Sequence, residues 1–289
     1  MTLALPPDHH DHPDHEVEEH DRGLVYDLTT LDRRRMLKLL GFGGLSAGMF
    51  VIAGCGPTAA SGSASASAAA SSASGAVGAS CAVIPEETAG PFPGDGSNGP
   101  DVLSQSGVVR SDIRSSFGSS TTVAEGIPLT IELTIQDGAD CVPLAGAAVY
   151  VWHCNREGEY SLYSSAVANE NYLRGVQETG EDGIVTFTSI FPAAYPGRWP
   201  HIHFEVYPSL DMATDENNKI ATSQVALPKD ACDLVFATAG YEQSVSNMTR
   251  LSLESDNVFG DDGGVKQLGT ITGSVADGMH VALVVPVNA

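Results

Sequence analysis

The stretch PLTIELTIQ, residues 128–136, alternates apolar and polar side chains over nine positions. Because successive side chains of a strand point to opposite faces, this pattern predicts a strand with one buried face. The turn pair Asp137-Gly138 ends the strand. No long amphipathic helix is evident after Cys81. The sequence therefore predicts a mainly β fold, an antiparallel β-sandwich with long site-forming loops and little helix.

Further short runs of apolar and β-branched residues are separated by Gly, Pro and Asp. This spacing of strands and turns is typical of a sandwich. The predicted strands after the first are 147–152, 184–190, 201–207, 222–227, 248–253, 268–271 and 280–287.

The chain is strongly acidic, with 14 Lys and Arg against 36 Asp and Glu and a formal net charge of −22. Most of this charge lies beyond residue 55, so the folded part is itself acidic. A sequence-independent nucleic-acid binder needs a basic face, and this class is excluded. The acidity also disfavours adhesion to anionic lipid by charge alone.

The N-terminal 55 residues have the order of an export signal. Arg33 and Arg34 stand in a basic segment that resembles a twin-arginine signal. The uncharged stretch 39–53 is too short to cross a bilayer, which takes about 20 residues. Cys55 ends a sequence that resembles a lipobox. We therefore expect an exported protein that contacts the membrane only through a lipid on Cys55, either anchored on the outer face or extracellular.

Three regions follow from these patterns. Residues 1–55 are interpreted as a leader with a twin-arginine-type lipoprotein signal, whose histidine-rich start has a role that the sequence leaves open. Residues 56–80 are almost entirely Ala, Ser and Gly and predict a flexible linker. Residues 81–289 are the predicted β-sandwich domain.

Four cysteines remain in the predicted domain: Cys81, Cys141, Cys154 and Cys232. An even number in an exported domain favours two disulfides and no free thiol. The sequence allows three connectivities and does not choose among them. No CxxC pair is present, which disfavours a cysteine zinc site.

The predicted strand HIHFEV, residues 201–206, carries the chemistry. Ile202, Phe204 and Val206 would face a core, while His201 and His203 face the other side and point at a common atom. Neutral imidazole suits iron, copper and zinc, so the pair predicts a metal site.

Several motifs occur in one order around this pair. They are PEETAGPF (85–92), VRSDI (109–113), PLAGA (143–147), WHCNREGEY (152–160), YLRG (172–175) and YPGRWP (195–200). In this combination the chain resembles the intradiol ring-cleavage dioxygenases, specifically their exported single-domain branch, from about Pro85 to Phe259.

The resemblance implies a non-haem Fe(III) ion held by Tyr160, Tyr195, His201 and His203, with O2 as co-substrate. It also implies that Tyr195 is released when a catechol binds and accepts a proton from it. The expected reaction opens the ring between the two hydroxylated carbons and gives a muconate-type diacid.

Two further residues carry expected roles. Arg198 matches an arginine that stabilises negative charge on the substrate, and Gln224 matches a polar residue lining the same pocket. Tyr195 precedes His201 by only six residues, a shorter loop than in the cytoplasmic branch, which bears on the pocket wall. Trp152 is expected in the core, and His153 and His280 are expected to be ordinary histidines.

Two other interpretations of the function stay open. One is a non-catalytic tethered β-sandwich module that binds aromatics or glycans, and the other is a copper or zinc site on the His-x-His pair. The particular catechol and the oligomeric state do not follow from the sequence.

Overall fold

A computed structural model describes residues 81–289. The predicted leader, Cys55 and the linker lie outside these residues. The strands are β1 (Pro128–Asp137), β2 (Ala148–Trp152), β3 (Arg174–Glu178), β4 (Ile184–Ile190), β5 (His201–Tyr207), β6 (Ala221–Ala226), β7 (Thr270–Ser274) and β8 (Gly278–Val287). The α-helices of the described part are α1 (Lys229–Phe236) and α2 (Glu242–Met248). Short 3-10 helices lie at Glu216–Asn218, Leu253–Ser255 and Phe259–Asp261.

The strands form two four-stranded sheets. The first has the order β4-β1-β8-β7 and the second β3-β2-β5-β6. All neighbours are antiparallel except β1 and β8, which are parallel. The predicted mainly β sandwich is confirmed, with this one parallel pair as a difference from an antiparallel arrangement.

The main core lies between the two sheets. Ile131 and Leu133 of β1 alternate with half-buried polar residues, as the sequence pattern predicted. Ile202, Phe204 and Val206 of β5 belong to the same core. Because alternate side chains face opposite ways, His201 and His203 lie on the outer face of the second sheet.

That outer face is also buried, because loops cover it. Tyr150, Trp152 and Tyr207 of the second sheet pack there in a separate apolar cluster. The covering residues include Val102, Leu103, Val108 and Tyr160. Polar side chains on the outer face of this sheet are therefore buried beneath the loops.

The predicted strands differ from the structure in three places. The segment 248–253 is not a strand: Met248 ends α2, and Ser252 caps the 3-10 helix Leu253–Ser255 through a reciprocal pair of hydrogen bonds with Ser255. Strand β3 was not predicted. The segment 268–271 overlaps β7, which begins at Thr270.

The prediction of two disulfides and no free thiol is wrong, because the structure has one disulfide and two free cysteines among residues 81–289. Cys81 and Cys141 are bonded, whereas Cys154 and Cys232 are free and buried. The Cys154 thiol donates to the Ala193 carbonyl and the Cys232 thiol to the Leu227 carbonyl, each within its own neighbourhood. Their location on separate elements, beside different partners, keeps the two sulfurs apart.

Within residues 81–289, no helix is both long enough and apolar enough to cross a membrane.

Candidate metal centre

Strand pairing places three site residues in one row across the second sheet. Trp152 of β2 is opposite His203 of β5, and His203 is opposite Gln224 of β6. The Trp152 and His203 rings stack with centroids 4.8 Å apart and planes 5° from parallel. The indole therefore fixes the plane of the His203 imidazole.

The two tyrosines come from loops at the same end of the sheet. Tyr160 lies in the loop 153–173 between β2 and β3, which we call the Tyr160 loop, and Tyr195 lies in the loop between β4 and β5. Tyr160 is 2% exposed, whereas Tyr195 is partly exposed. The tyrosine rings meet edge to face with centroids 5.8 Å apart.

Four polar atoms converge between these loops and β5. His201 Nε2 lies 3.0 Å from His203 Nε2, 3.3 Å from Tyr160 Oη and 3.3 Å from Tyr195 Oη. His201 Nδ1 lies 2.5 Å from the Trp199 carbonyl oxygen and donates to it. Since a neutral imidazole carries one N–H, this bond leaves the His201 Nε2 lone pair free for a metal ion.

Burial keeps the imidazoles neutral. Burial, and then the neighbouring Arg198, lowers the pKa of His201 to about 3. Burial, and then His201, lowers the pKa of His203 well below its ordinary value. Neutral imidazole is the form that binds metals.

Burial also keeps the phenol of Tyr160 neutral, but it does so by raising its pKa. Burial, and then the neighbouring Tyr195, raises the pKa of Tyr160 well above its ordinary value. The buried tyrosinate therefore needs a strong positive charge beside it to form at neutral pH.

The donor set and its spacing fit a ferric ion. Donors bound about 2.1 Å from one first-row metal ion at roughly right angles lie about 3.0 Å apart, close to the observed contacts. Two anionic phenolates offset much of a 3+ charge, and phenolate oxygen with imidazole suits Fe(III). Among residues 81–289 no group of three or more His, Cys, Asp and Glu side chains is placed to hold a metal. The donors that converge here are two histidines and two tyrosines.

Arg198 and Gln224 lie together beside these donors. The Arg198 guanidinium donates to Gln224 Oε1 at 2.7 Å and to Asp256 Oδ2 at 3.1 Å. Gln224 Nε2 donates to the Thr88 carbonyl at 2.9 Å. The side chains of Arg198 and Asp256 are 4% and 0% exposed, so this ion pair is buried.

Asp256 is the residue that the sequence analysis missed. Its carboxylate also accepts the backbone N–H groups of Trp199, Val258 and Phe259. Burial opposes ionisation of Asp256, but Arg198 and these donors hold its pKa below the ordinary value. Nothing local distinguishes Asp256 among 36 acidic residues, and only the fold brings it to Arg198.

The segment 88–94, which we call the entry segment, covers the site from the other side. A Cβ placed on Gly90 would lie 3.4 Å from His203 Cε1, and the φ of Gly90 is +71°. A side chain there would be strained and would touch the imidazole. The Phe92 ring packs on Tyr160 with centroids 4.9 Å apart.

The structure brings together all six residues that the sequence singled out: Tyr160, Tyr195, Arg198, His201, His203 and Gln224. Trp152, expected only in the core, is buried and also contacts the site. His153 and His280 lie outside this cluster. His153 is buried against Ser189 and the Cys154 carbonyl, and His280 faces Glu132.

Comparison with known proteins points to one family. Residues 99–209 match the family model described as Dioxygenase. A segment of 69 residues, 24% of this chain and 22% of the relative, is 41% identical to catechol 1,2-dioxygenase 1 of Acinetobacter lwoffii. A segment of 53 residues, 18% of this chain and 21% of the relative, is 42% identical to chlorocatechol 1,2-dioxygenase of Rhodococcus opacus. The chain thus spans about a fifth of the length of these relatives.

The fold comparison extends over more of the chain. The solved structure of an intradiol ring-cleavage dioxygenase from Tetranychus urticae superposes with a TM-score of 0.57 at 27% identity. The superposition covers 72% of this chain and 95% of that one.

Proposed function

We propose that the chain belongs to the intradiol ring-cleavage dioxygenases, which its partial match and its fold resemble, and that it is a non-haem Fe(III) enzyme that opens catechol-type rings with O2. The observation that carries this proposal is the convergence of the Tyr160 and Tyr195 hydroxyls with the His201 and His203 Nε2 atoms at 3.0–3.3 Å. Tyr160, Tyr195, His201 and His203 would hold the ion. When bound there, ferric iron makes a catecholate reactive toward O2.

The protein's own groups then have distinct tasks. Tyr195 is partly exposed and lies at the open side of the cluster, so its phenolate oxygen is the group that accepts a proton from the incoming catechol hydroxyl. Tyr160 is buried beneath Phe92 and stays in place.

Arg198 supplies fixed positive charge beside the reacting ring. It is held on one side by Asp256 and on the other by Gln224, so its guanidinium does not need to reorganise as negative charge develops. The buried surroundings strengthen this interaction because they exclude water.

Isotope labelling tests the reaction. Iron-loaded protein is incubated with catechol under 18O2, and the product is analysed by mass spectrometry. We expect a dicarboxylic acid that contains two labelled oxygen atoms, one in each new carboxyl group. A ring-opened aldehyde, a product with no label, or no turnover would contradict the proposal.

We further propose that the enzyme is exported and anchored by a lipid on Cys55, on the strength of the N-terminal sequence pattern. Cys55→Ser should release the protein from the membrane fraction, and replacing Arg33 and Arg34 together by Lys should block export. Unchanged membrane attachment of Cys55→Ser would contradict the lipid anchor.

A further inference from the structure

Arg174 is a buried arginine, 1% exposed. Within residues 81–289 its guanidinium donates hydrogen bonds to uncharged groups. The guanidinium donates to the carbonyl oxygens of Phe92, Pro93 and Ser161, and to the hydroxyls of Tyr150 and Ser161, at 2.6–3.2 Å. A buried arginine is tolerated only where its donors are satisfied.

These acceptors belong to the two segments that enclose the candidate metal centre. Phe92 and Pro93 are in the entry segment, and Ser161 directly follows Tyr160. The two segments also touch through Tyr163, whose hydroxyl accepts the Gly94 N–H at 2.8 Å. Arg174 therefore lies at the junction between them.

The packing at this junction is close. A Cβ placed on Gly94, whose φ is +67°, would lie 2.9 Å from an Arg174 terminal nitrogen. The entry segment can approach the guanidinium this closely only because residue 94 is glycine.

The backbone of the Tyr160 loop is strained near the same contacts. Leu162 and Leu173 have φ values of +74° and +57°, a region that leucine rarely adopts. The Ser161 carbonyl that Arg174 binds belongs to the peptide that enters Leu162, and Leu173 immediately precedes Arg174. The strained conformation persists because the surroundings hold it, and Arg174 makes two of its contacts there, to Ser161 O and Oγ.

We propose that Arg174 is a positioning residue for the metal site, because its guanidinium ties the entry segment to the Tyr160 loop and fixes the place of the Tyr160 hydroxyl. This inference rests on the proposed function. Arg174 does not touch the converging donor atoms, and it acts through Ser161 and Phe92 on Tyr160.

The test compares Arg174→Met with Arg110→Met, a variant of a half-buried arginine that also donates to backbone carbonyls. The acceptors of Arg110 are the carbonyls of Ser115, Asn171 and Arg174, so it contacts the far end of the Tyr160 loop but neither Ser161 nor the entry segment. Arg174→Lys keeps the charge but not the planar fork of donors. For each purified protein we would measure melting temperature, iron bound, and the tyrosinate-to-iron absorption per bound iron.

We expect Arg174→Met to lower iron affinity ~10–100-fold, the usual effect of losing a group that orients a metal ligand. Its absorption band per iron should shift or weaken, and Arg174→Lys should recover part of both. Arg110→Met should lower the melting temperature and leave the band per iron as in the parent.

An unchanged band and iron affinity in Arg174→Met would overturn the proposal, as would the same spectral change in Arg110→Met at an equal loss of melting temperature. If Arg174→Met fails to fold, Ser161→Ala and Arg174→Lys decide the question, because an unchanged band in both would overturn it. Failure of the proposed function is distinct, because the parent protein itself would then bind no iron or show no band.

Discussion

The two tyrosines of the candidate metal centre differ in burial, and this difference supports the separate roles proposed for them. Tyr160 is enclosed by Phe92 and the Tyr160 loop, whereas Tyr195 is partly exposed. A ligand that leaves and returns needs space to move, and of the two tyrosines Tyr195 is the more exposed.

Tyr195→Phe should retain iron and still form a complex with catechol, but slowly. The variant lacks the phenolate that accepts the catechol proton, and general base contributions are typically about 10²–10⁴-fold. Tyr160→Phe, the matched variant, should instead lose iron affinity and visible absorption, because a permanent anionic ligand is gone. Anaerobic stopped-flow absorbance with catechol, beside iron content, measures both. Complex formation in Tyr195→Phe at the parent rate would show that Tyr195 is not the proton acceptor.

His153 should make the fold sensitive to acid. Burial lowers its pKa from 6.5 to about 4, so the native state favours the neutral ring. Below pH 6.5 the unfolded chain binds a proton at His153 that the folded protein does not bind until about pH 4. The free energy of unfolding should therefore fall by up to about 3 kcal/mol as pH falls from about 6.5 towards 4, and above pH 6.5 this group causes no loss. His153→Gln should show a smaller loss of unfolding free energy between pH 7 and pH 4 in denaturant titrations of metal-free protein.

His280→Gln is the control for this measurement. His280 is more exposed and faces Glu132 across the first sheet. Its replacement therefore controls for the histidine-to-glutamine change itself, and His153→Gln should lose less unfolding free energy in acid than this variant does. Equal pH profiles for the parent and His153→Gln would show that His153 does not carry this sensitivity.

At the scale of elements, the strands that build the site were predictable. The alternation of HIHFEV placed His201 and His203 on one face and the core residues on the other, as β5 has them. An alternating pattern predicts a strand well because one face of the strand packs in the core and the other face packs elsewhere. The row of Trp152, His203 and Gln224 was not predictable, because it depends on strand register.

The missed strand β3 and the wrong strand prediction at 248–253 both have physical causes. Strand β3 begins with Arg174 and Gly175, which carry no alternating signal, and Arg174 is buried only because carbonyl groups converge on it. The segment 248–253 alternates over too short a run to separate strand from helix end. There the serine capping pair of Ser252 and Ser255 decides the local structure.

Asp256 belongs to the segment that follows this capped turn, and it holds Arg198 and the backbone of Trp199. Asp256→Asn keeps the size but removes the charge that pairs with buried Arg198. Breaking a buried pair typically costs about 3–5 kcal/mol, so the melting temperature should fall. Turnover per bound iron should fall as well, because Arg198 is no longer fixed, and steady-state kinetics with iron analysis would measure this.

Lys229→Gln is the control for Asp256→Asn, since it breaks the exposed pair of Lys229 with Asp233 on α1. Exposed pairs contribute little, and the variant should behave as the parent. Full turnover per iron in Asp256→Asn would show that Asp256 is not needed to fix Arg198.

At the scale of the whole molecule, two sheets enclose one core, and loops close the second sheet over the site. The fold class followed from sequence, and the six residues that the sequence singled out lie together, although their roles stay predictions. The thiol pairing did not follow from sequence. Cysteine spacing carries no information on which side chains meet, and Cys154 and Cys232 each became part of an apolar interior.

The two thiols should therefore be inert in the folded protein. Burial raises the pKa of Cys154 to about 12 and also raises that of Cys232, and the reactive species is the thiolate. Titration of the mature protein with a thiol reagent should find none in native buffer and two after unfolding. Two rapidly reacting thiols in the native state would contradict their burial.

The visible absorption spectrum of the purified protein, read beside its metal content, tests the central claim most directly. Two tyrosinates on one ferric ion give a red-brown protein with a broad charge-transfer band, so we expect one iron per chain and a band that fades in Tyr160→Phe. A colourless protein that carries zinc, or an iron protein whose spectrum is the same in Tyr160→Phe as in the parent, would contradict the claim.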